Sequence, residues 1–154
     1  MKQRIYIDTS VVGGYYDEEF KEDTIKLFER FENDEIIFVV SDLLELELLN
    51  APQRVRKLLL KYSPDKFERI ELTEEAVQLA GAYIKEKVVG ETSVTDCRHI
   101  ALATINKVDV LSSWNFKHIV NLDKIKGYNS VNLRLGYMIV EIRSPKDLIN
   151  YEND

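Results

Sequence analysis

The spacing of apolar and polar positions changes along the chain, and each change marks an element. Residues 3–8 alternate and then meet Asp8-Thr9-Ser10, the pattern of a short buried strand that stops at a polar turn suited to capping a helix. After Gly13-Gly14-Tyr15-Tyr16, the segment Glu19 to Glu32 sets Phe20, Ile25, Leu27, Phe28 and Phe31 at helical spacing among charges. The β-branched run Glu35-Ile36-Ile37-Phe38-Val39-Val40 predicts an interior parallel strand. Ser41-Asp42 then caps a leucine-rich helix that stops near Pro52.

A basic-faced helix is expected from Arg54 to Tyr62, and a short strand from Phe67 to Leu72. Thr73 caps a helix through Ala76, Leu79, Ala80 and Tyr83, with Gly90 as its limit. Ser93 to Asn106 predicts a further helix, and Val108 to Ser113 a strand. Beyond these, Tyr137 to Ile142 suggests a strand, and Ser144-Pro145 a last short helix. Alternating strands and helices predict an α/β sandwich, a mainly parallel central sheet flanked by helices. With 154 residues, no repeat and no linker among three prolines and six glycines, one domain over 1–154 is expected.

Composition changes this picture little. Hydrophobic residues make up 45% and charged residues 31% of the chain, which suits a folded globular protein. The single cysteine, Cys97, excludes an internal disulfide, and with two histidines a structural zinc cluster is not expected. No apolar run approaches the roughly 18 residues of a membrane span, so a cytoplasmic protein without membrane partners is anticipated. A net charge of −6 speaks against a surface coated in basic patches, although bound cations offset such charge at acidic nuclease sites.

Candidate chemistry lies just after the predicted strands, where ligands gather in open α/β sheets. Asp8 closes the first strand, Glu45 and Glu47 follow the second, and Ser113-Trp114-Asn115 follows the strand at Val110. Asp96 joins them if its helix starts at the same crevice. Carboxylates without cysteines suit hard cations such as Mg²⁺ or Mn²⁺, which activate water against phosphate esters. Nuclease and phosphatase chemistry both follow, but the Asp-x-Asp pattern of aspartyl-phosphate enzymes is broken by Ser10. Gly13-Gly14 lacks the spaced glycine fingerprint of dinucleotide binding.

Four segments together resemble PIN-domain proteins, especially the toxin-like ribonucleases of the VapC kind. They are Ile5-Tyr6-Ile7-Asp8-Thr9-Ser10, Ser41 to Leu48, Thr95 to Ala103, and Val110 to His118, in that order. The resemblance implies a Rossmann-like three-layer sandwich, Mg²⁺ or Mn²⁺ dependence, endoribonuclease activity on RNA, an antitoxin partner and a homodimer. It carries the acidic roles onto Asp8, Glu47 and Asp96 as metal-binding and catalytic residues, with Glu45 the rival of Glu47. Asn115 stands where many relatives have a fourth acid, so it is expected to hold a water or a metal without charge. That departure also motivates a catalytically silent module that binds RNA or a protein.

Simpler roles compete at each position. Asp8 and Asp96 also suit helix caps, Glu47 a solvated helix face, and His99 a hydrogen-bonded core position outside the metal set. Thr9 and Ser10 read as hydroxyls that orient Asp8 rather than nucleophiles. Trp114 and Phe116 read as packing residues. Arg54, Lys57, Arg98 and Lys117 are candidates for phosphate contacts that bind RNA without regard to sequence.

Overall fold

The computed structural model of the protein describes residues 1–149. Its strands are β1 (Gln3–Ile7), β2 (Ile36–Ser41), β3 (Glu68–Ile70), β4 (Val110–Ser112) and β5 (Ile142–Arg143). Between and after them lie α1 (Thr9–Gly14), α2 (Lys21–Glu32), α3 (Asp42–Leu48), α4 (Gln53–Leu58), α5 (Glu74–Lys85), α6 (Val94–Ile105) and α7 (Leu122–Arg134). The sheet has the order β3-β2-β1-β4-β5, and every pairing in it is parallel. From β1 the chain builds toward β2 and β3 on one side and toward β4 and β5 on the other. The strand order therefore reverses at β1, which makes the β1/β4 boundary the place where a crevice opens above the carboxyl ends.

The two-residue period of the strands divides the core into two layers. Tyr6, Val39, Leu111 and Ile142 face one way and pack with Leu79, Tyr83, Ile100 and Tyr128 of α5, α6 and α7. Ile5, Ile7, Phe38, Val40 and Val110 face the other way, against Val11, Leu27, Phe28, Phe31 and Val55 of α1, α2 and α4. Strands buried on both faces read as continuous apolar runs because neither face meets water. No helix among the described residues is long and apolar enough to cross a membrane.

Several elements differ from the sequence expectation. The polar turn after Asp8 continues into α1, a helix of poor intrinsic propensity that contains two valines and two glycines. Each glycine costs about 1 kcal/mol in a helix interior. Val11 and Val12 are both at 0% exposure, and burial of such side chains contributes about 1.5–3 kcal/mol apiece. Packing therefore outweighs propensity there. Gly14 serves a further purpose, since a Cβ at this position would stand 2.7 Å from Trp114 Nε1 and 2.8 Å from Thr24 Oγ1. Its bareness lets α1 lie against the Trp114–Thr24 hydrogen bond.

Helix α7 has no counterpart in the sequence reading. Its apolar positions Ile125, Tyr128 and Val131 are diluted by Gly127, Asn129, Ser130 and Asn132, which hide the period. Asn132 is buried, where it bonds to Tyr83 and Thr104. Gly127 lets the helix approach Val88, 2.7 Å from where a Cβ would sit. The basic helix expected over 54–62 is α4 followed by a 3₁₀ turn at Leu59–Lys61. The expected strand at 137–142 reduces to Ile142–Arg143, and the last short helix is a 3₁₀ turn, Pro145–Leu148.

Candidate functional site

Asp8 leaves β1 as the N-cap of α1 and is 4% exposed. Its Oδ1 accepts hydrogen bonds from Ser10 Oγ at 2.6 Å and Val11 N at 3.2 Å, and its Oδ2 accepts one from Ser113 Oγ at 2.6 Å. Both hydroxyls are themselves fixed from behind: Ser10 Oγ accepts Trp114 N at 2.8 Å and Ser113 Oγ accepts Asn115 N at 2.9 Å. Burial pushes the Asp8 carboxyl above the usual carboxylate range, against the lowering pull of His99, the two hydroxyls and the Val11 amide. Asp8 does cap a helix, as the simpler reading holds. A serine there would cap it as well without placing a charge in the interior.

Glu45 and Glu47, two residues apart, take opposite surroundings, since residues at that spacing cannot share a helix face. Glu45 is exposed and pairs with Arg69 at 2.7 and 2.9 Å. Glu47 is half-buried, and its Oε1 accepts from Thr9 Oγ1 at 2.7 Å and meets His99 Nε2. Burial acts to raise the Glu47 carboxyl, but the His99 and Thr9 contacts outweigh it and hold the group below its ordinary value. The neighbouring Leu46 and Leu49 are exposed.

Asp96 sits in the first turn of α6 and is partly buried. Its carboxyl is raised first by burial and next by the charge of Asp8, with Glu47 adding to the effect and His99 and His118 opposing it. Each of these side chains lies within the electrostatic reach of Asp96. Asn115 donates from Nδ2 to Asp96 Oδ2 at 3.3 Å. The Asn115 Oδ1 accepts the backbone N–H groups of Lys117 at 3.1 Å and His118 at 2.9 Å, an Asx turn that occupies the amide oxygen. Asn115 thus orients Asp96, and its oxygen is committed to the turn.

The crevice gathers Asp8, Glu47, Asp96, Asn115, Thr9 and Ser10, and among the described residues no Lys or Arg forms an ion pair with its carboxylates. Two further participants lie outside the sequence-derived set. Ser113 was visible as a residue after a strand, and its hydroxyl holds Asp8. His99 is the hydrogen-bonded core histidine expected, 2% exposed, but the carboxylate it contacts belongs to the site. The faint signal was Tyr6, a hydroxyl in an otherwise apolar strand that had to find a buried partner.

The candidate RNA contacts are dispersed. Arg54 is exposed and lies over the Tyr16 ring, 5.1 Å from its centroid. Lys57 and Lys117 are exposed, and Arg98 is partly buried with an unbonded Nε. Trp114 packs as expected, stacked on Phe20 at 4.3 Å, whereas Phe116 is half exposed. A surface cavity of about 510 Å³ beside Val88 and Lys124 is lined by Glu91 but by none of Asp8, Glu47 and Asp96.

Among the described residues, no group of three or more Asp, Glu, His or Cys side chains could hold a metal ion together. The donor chemistry of Asp8 and Asp96 nonetheless fits a hard cation, since both are oxygen donors raised by burial, Asp96 further by the charge of Asp8, and neither forms an ion pair with Lys or Arg among the described residues. Mg²⁺ needs only one or two carboxylates, because it retains several waters.

No protein-family model matches the sequence, and no curated protein does. Solved structures do match it. FitAcB from Neisseria gonorrhoeae aligns with a TM-score of 0.58 at 14% identity, over 92% of this chain and 97% of that one. DNA-bound VapBC from Salmonella typhimurium aligns with a TM-score of 0.58 at 15% identity, over 94% and 99%. VapBC2 from Rickettsia felis, bound to a promoter DNA fragment, gives 0.53 at 10% identity, over 92% and 98%. At this level of identity the likeness is one of architecture, and it extends over nearly the whole of each chain. With its all-parallel five-stranded sheet between two helical layers, the chain shares its α/β fold with these FitAcB and VapBC chains.

Proposed function

We propose that this chain is a divalent-metal-dependent endoribonuclease and the toxin of a toxin–antitoxin pair. The observation that carries the reading is Asp8, a carboxylate 4% exposed at the strand-order reversal, held by hydroxyls, acting electrostatically on Asp96 and, among the described residues, without a Lys or Arg ion pair. A buried carboxylate without a cation costs several kcal/mol. Stability alone gives no reason to keep one, whereas a site that recruits a cation does.

Asp8 and Asp96 would hold Mg²⁺ or Mn²⁺, with Glu47 reaching the ion through a bound water. When bound, the ion lowers the pKa of water and offsets charge that develops on the phosphate. Glu47, kept ionised by Thr9 and His99, accepts the proton of the water that attacks phosphorus. Ser10 and Ser113 fix both oxygens of Asp8, and the Asn115 amide keeps Asp96 turned to the crevice. Arg54, Lys57, Arg98 and Lys117 supply contacts to the RNA phosphates. Leu46, Leu49 and Phe116, exposed on or near the segments that carry the site, give an antitoxin helix an apolar surface to cover.

A catalytically silent module is the second reading, favoured by the engaged oxygen of Asn115. Incubation of purified protein with mixed-sequence single-stranded RNA, in Mn²⁺, Mg²⁺ or chelator, separates the two. Cleavage that requires metal and disappears in Asp8→Asn and Asp96→Asn is expected for the nuclease. RNA binding without cleavage in every condition supports the silent module.

A further inference from the structure

A line of buried polar contacts runs beneath the crevice. Ser41 Oγ, at the end of β2, lies 2.7 Å from Tyr6 Oη, which lies 2.6 Å from His99 Nδ1. His99 Nε2 then meets Glu47 Oε1. Ser41 and Tyr6 are at 0% exposure and His99 at 2%, so water does not compete for these bonds.

The direction of donation follows from the two ends, because tautomers are assigned from the network. An ionised Glu47 only accepts, so His99 Nε2 carries the proton. In the neutral imidazole Nδ1 is then the acceptor and takes the single proton of Tyr6, whereas an imidazolium would donate from both nitrogens and leave Tyr6 to donate to Ser41. With the neutral ring, Tyr6 Oη accepts from Ser41, whose oxygen has a lone pair left for Leu44 N at 3.1 Å. All the donors point toward Glu47, and bonds aligned this way polarise and strengthen one another. A histidine needed only for packing could end on any carbonyl; this one ends on a half-exposed carboxylate of the site. Thr9 grips the same oxygen at 2.7 Å, while Glu47 Oε2 has no hydrogen-bond partner among the described residues.

We propose that His99 is the positioning residue of the carboxylate site: braced by Tyr6 and Ser41, it fixes Glu47 Oε1 beside Thr9 and so presents Oε2 to the reacting water. The inference rests on the nuclease reading above.

The test combines ¹⁵N-histidine spectra of the full chain with RNA cleavage and Mn²⁺ affinity. The sequence contains two histidines, so two ring signals are to be assigned. His99 is expected as the Nε2–H tautomer with Nδ1 accepting, and Tyr6→Phe is expected to move its Nδ1 resonance. His99→Leu should lower kcat or Mn²⁺ affinity by roughly 10–100-fold, as loss of such supporting partners does, with KM for RNA unchanged. His99→Gln, whose amide reaches Glu47, should recover most of the loss. A proton on Nδ1, whether in the Nδ1–H tautomer or in an imidazolium, overturns the proposal, as does a folded His99→Leu variant with parental kcat and Mn²⁺ affinity while Asp8→Asn has lost both. If His99→Leu does not fold, Tyr6→Phe decides, since it removes one oxygen from the core: parental kcat in that variant overturns the relay. Cleavage that survives Asp8→Asn instead overturns the nuclease reading, and the role of His99 with it.

Discussion

Glu68 at one end of the sheet and the aspartates Asp8 and Asp96 at the other are treated in opposite ways. At the amino end, Arg4 of β1 donates through Nε and Nη2 to Glu68 and through Nη1 and Nη2 to the backbone oxygens of Lys107 and Asn106, while its own N–H is 2.7 Å from Asp109 Oδ2. The Arg4 hydrogen bond and charge hold Glu68 below its usual range, although burial acts against them. At the carboxyl end, Asp8 and Asp96 are more enclosed, form no ion pair with Lys or Arg among the described residues, and are both pushed upward. One end is matched for stability, while the other stores repulsion that only a ligand cation or a proton can relieve. An unsatisfied charge at the place where strand order reverses marks function more sharply than the presence of acidic residues does.

The largest effect that tests this contrast is expected from Asp8→Asn. RNA cleavage should fall by roughly 10²–10³-fold, the scale for loss of a key electrostatic group, while thermal unfolding shifts to higher temperature. A fall in both activity and melting temperature would show that Asp8 is matched after all.

The pH dependence comes next. A carboxyl whose folded pKa is raised binds protons in the folded state before the unfolded chain does, so stability declines as pH rises through the raised value. Asp8 and Asp96 should therefore make the protein more stable as pH is lowered from neutrality toward the ordinary carboxylate range. Glu47 and Glu68 have the opposite sign: their contribution is present above that range and disappears as pH falls through their lowered values. Melting curves between neutral pH and the carboxylate range are expected to rise on acidification and then collapse. In Asp8→Asn the rise should shrink, and an unchanged rise would assign it to other groups.

Arg4→Ala should cost about 1 kcal/mol in urea unfolding, the net scale of its hydrogen bonds after allowance for a partly exposed ion pair, and should leave cleavage intact. The smallest effect is expected from Glu45→Gln. Its pair with Arg69 is exposed on both sides, so the midpoint of urea unfolding should not move measurably and activity should not change at all. A loss of cleavage there would reinstate Glu45 as the second acid.

The sequence by itself carried the order of strands and helices, because interior parallel strands are continuous apolar runs and long helices bear a period. It also carried Asp8 and the Ser41 and Thr73 caps, since those signals are local. It did not carry α1 or α7, whose valines, glycines and asparagines act through burial and close approach rather than through propensity. The different surroundings of Glu45 and Glu47 depend on which side of α3 meets Thr9 and His99. The commitment of the Asn115 oxygen to a turn, and the line from Ser41 through Tyr6 and His99, also join residues far apart in the chain. Local pattern fixes which elements form; which side chains face one another across a crevice is set by the packing of two layers on a twisted sheet, and only the tertiary structure decided that.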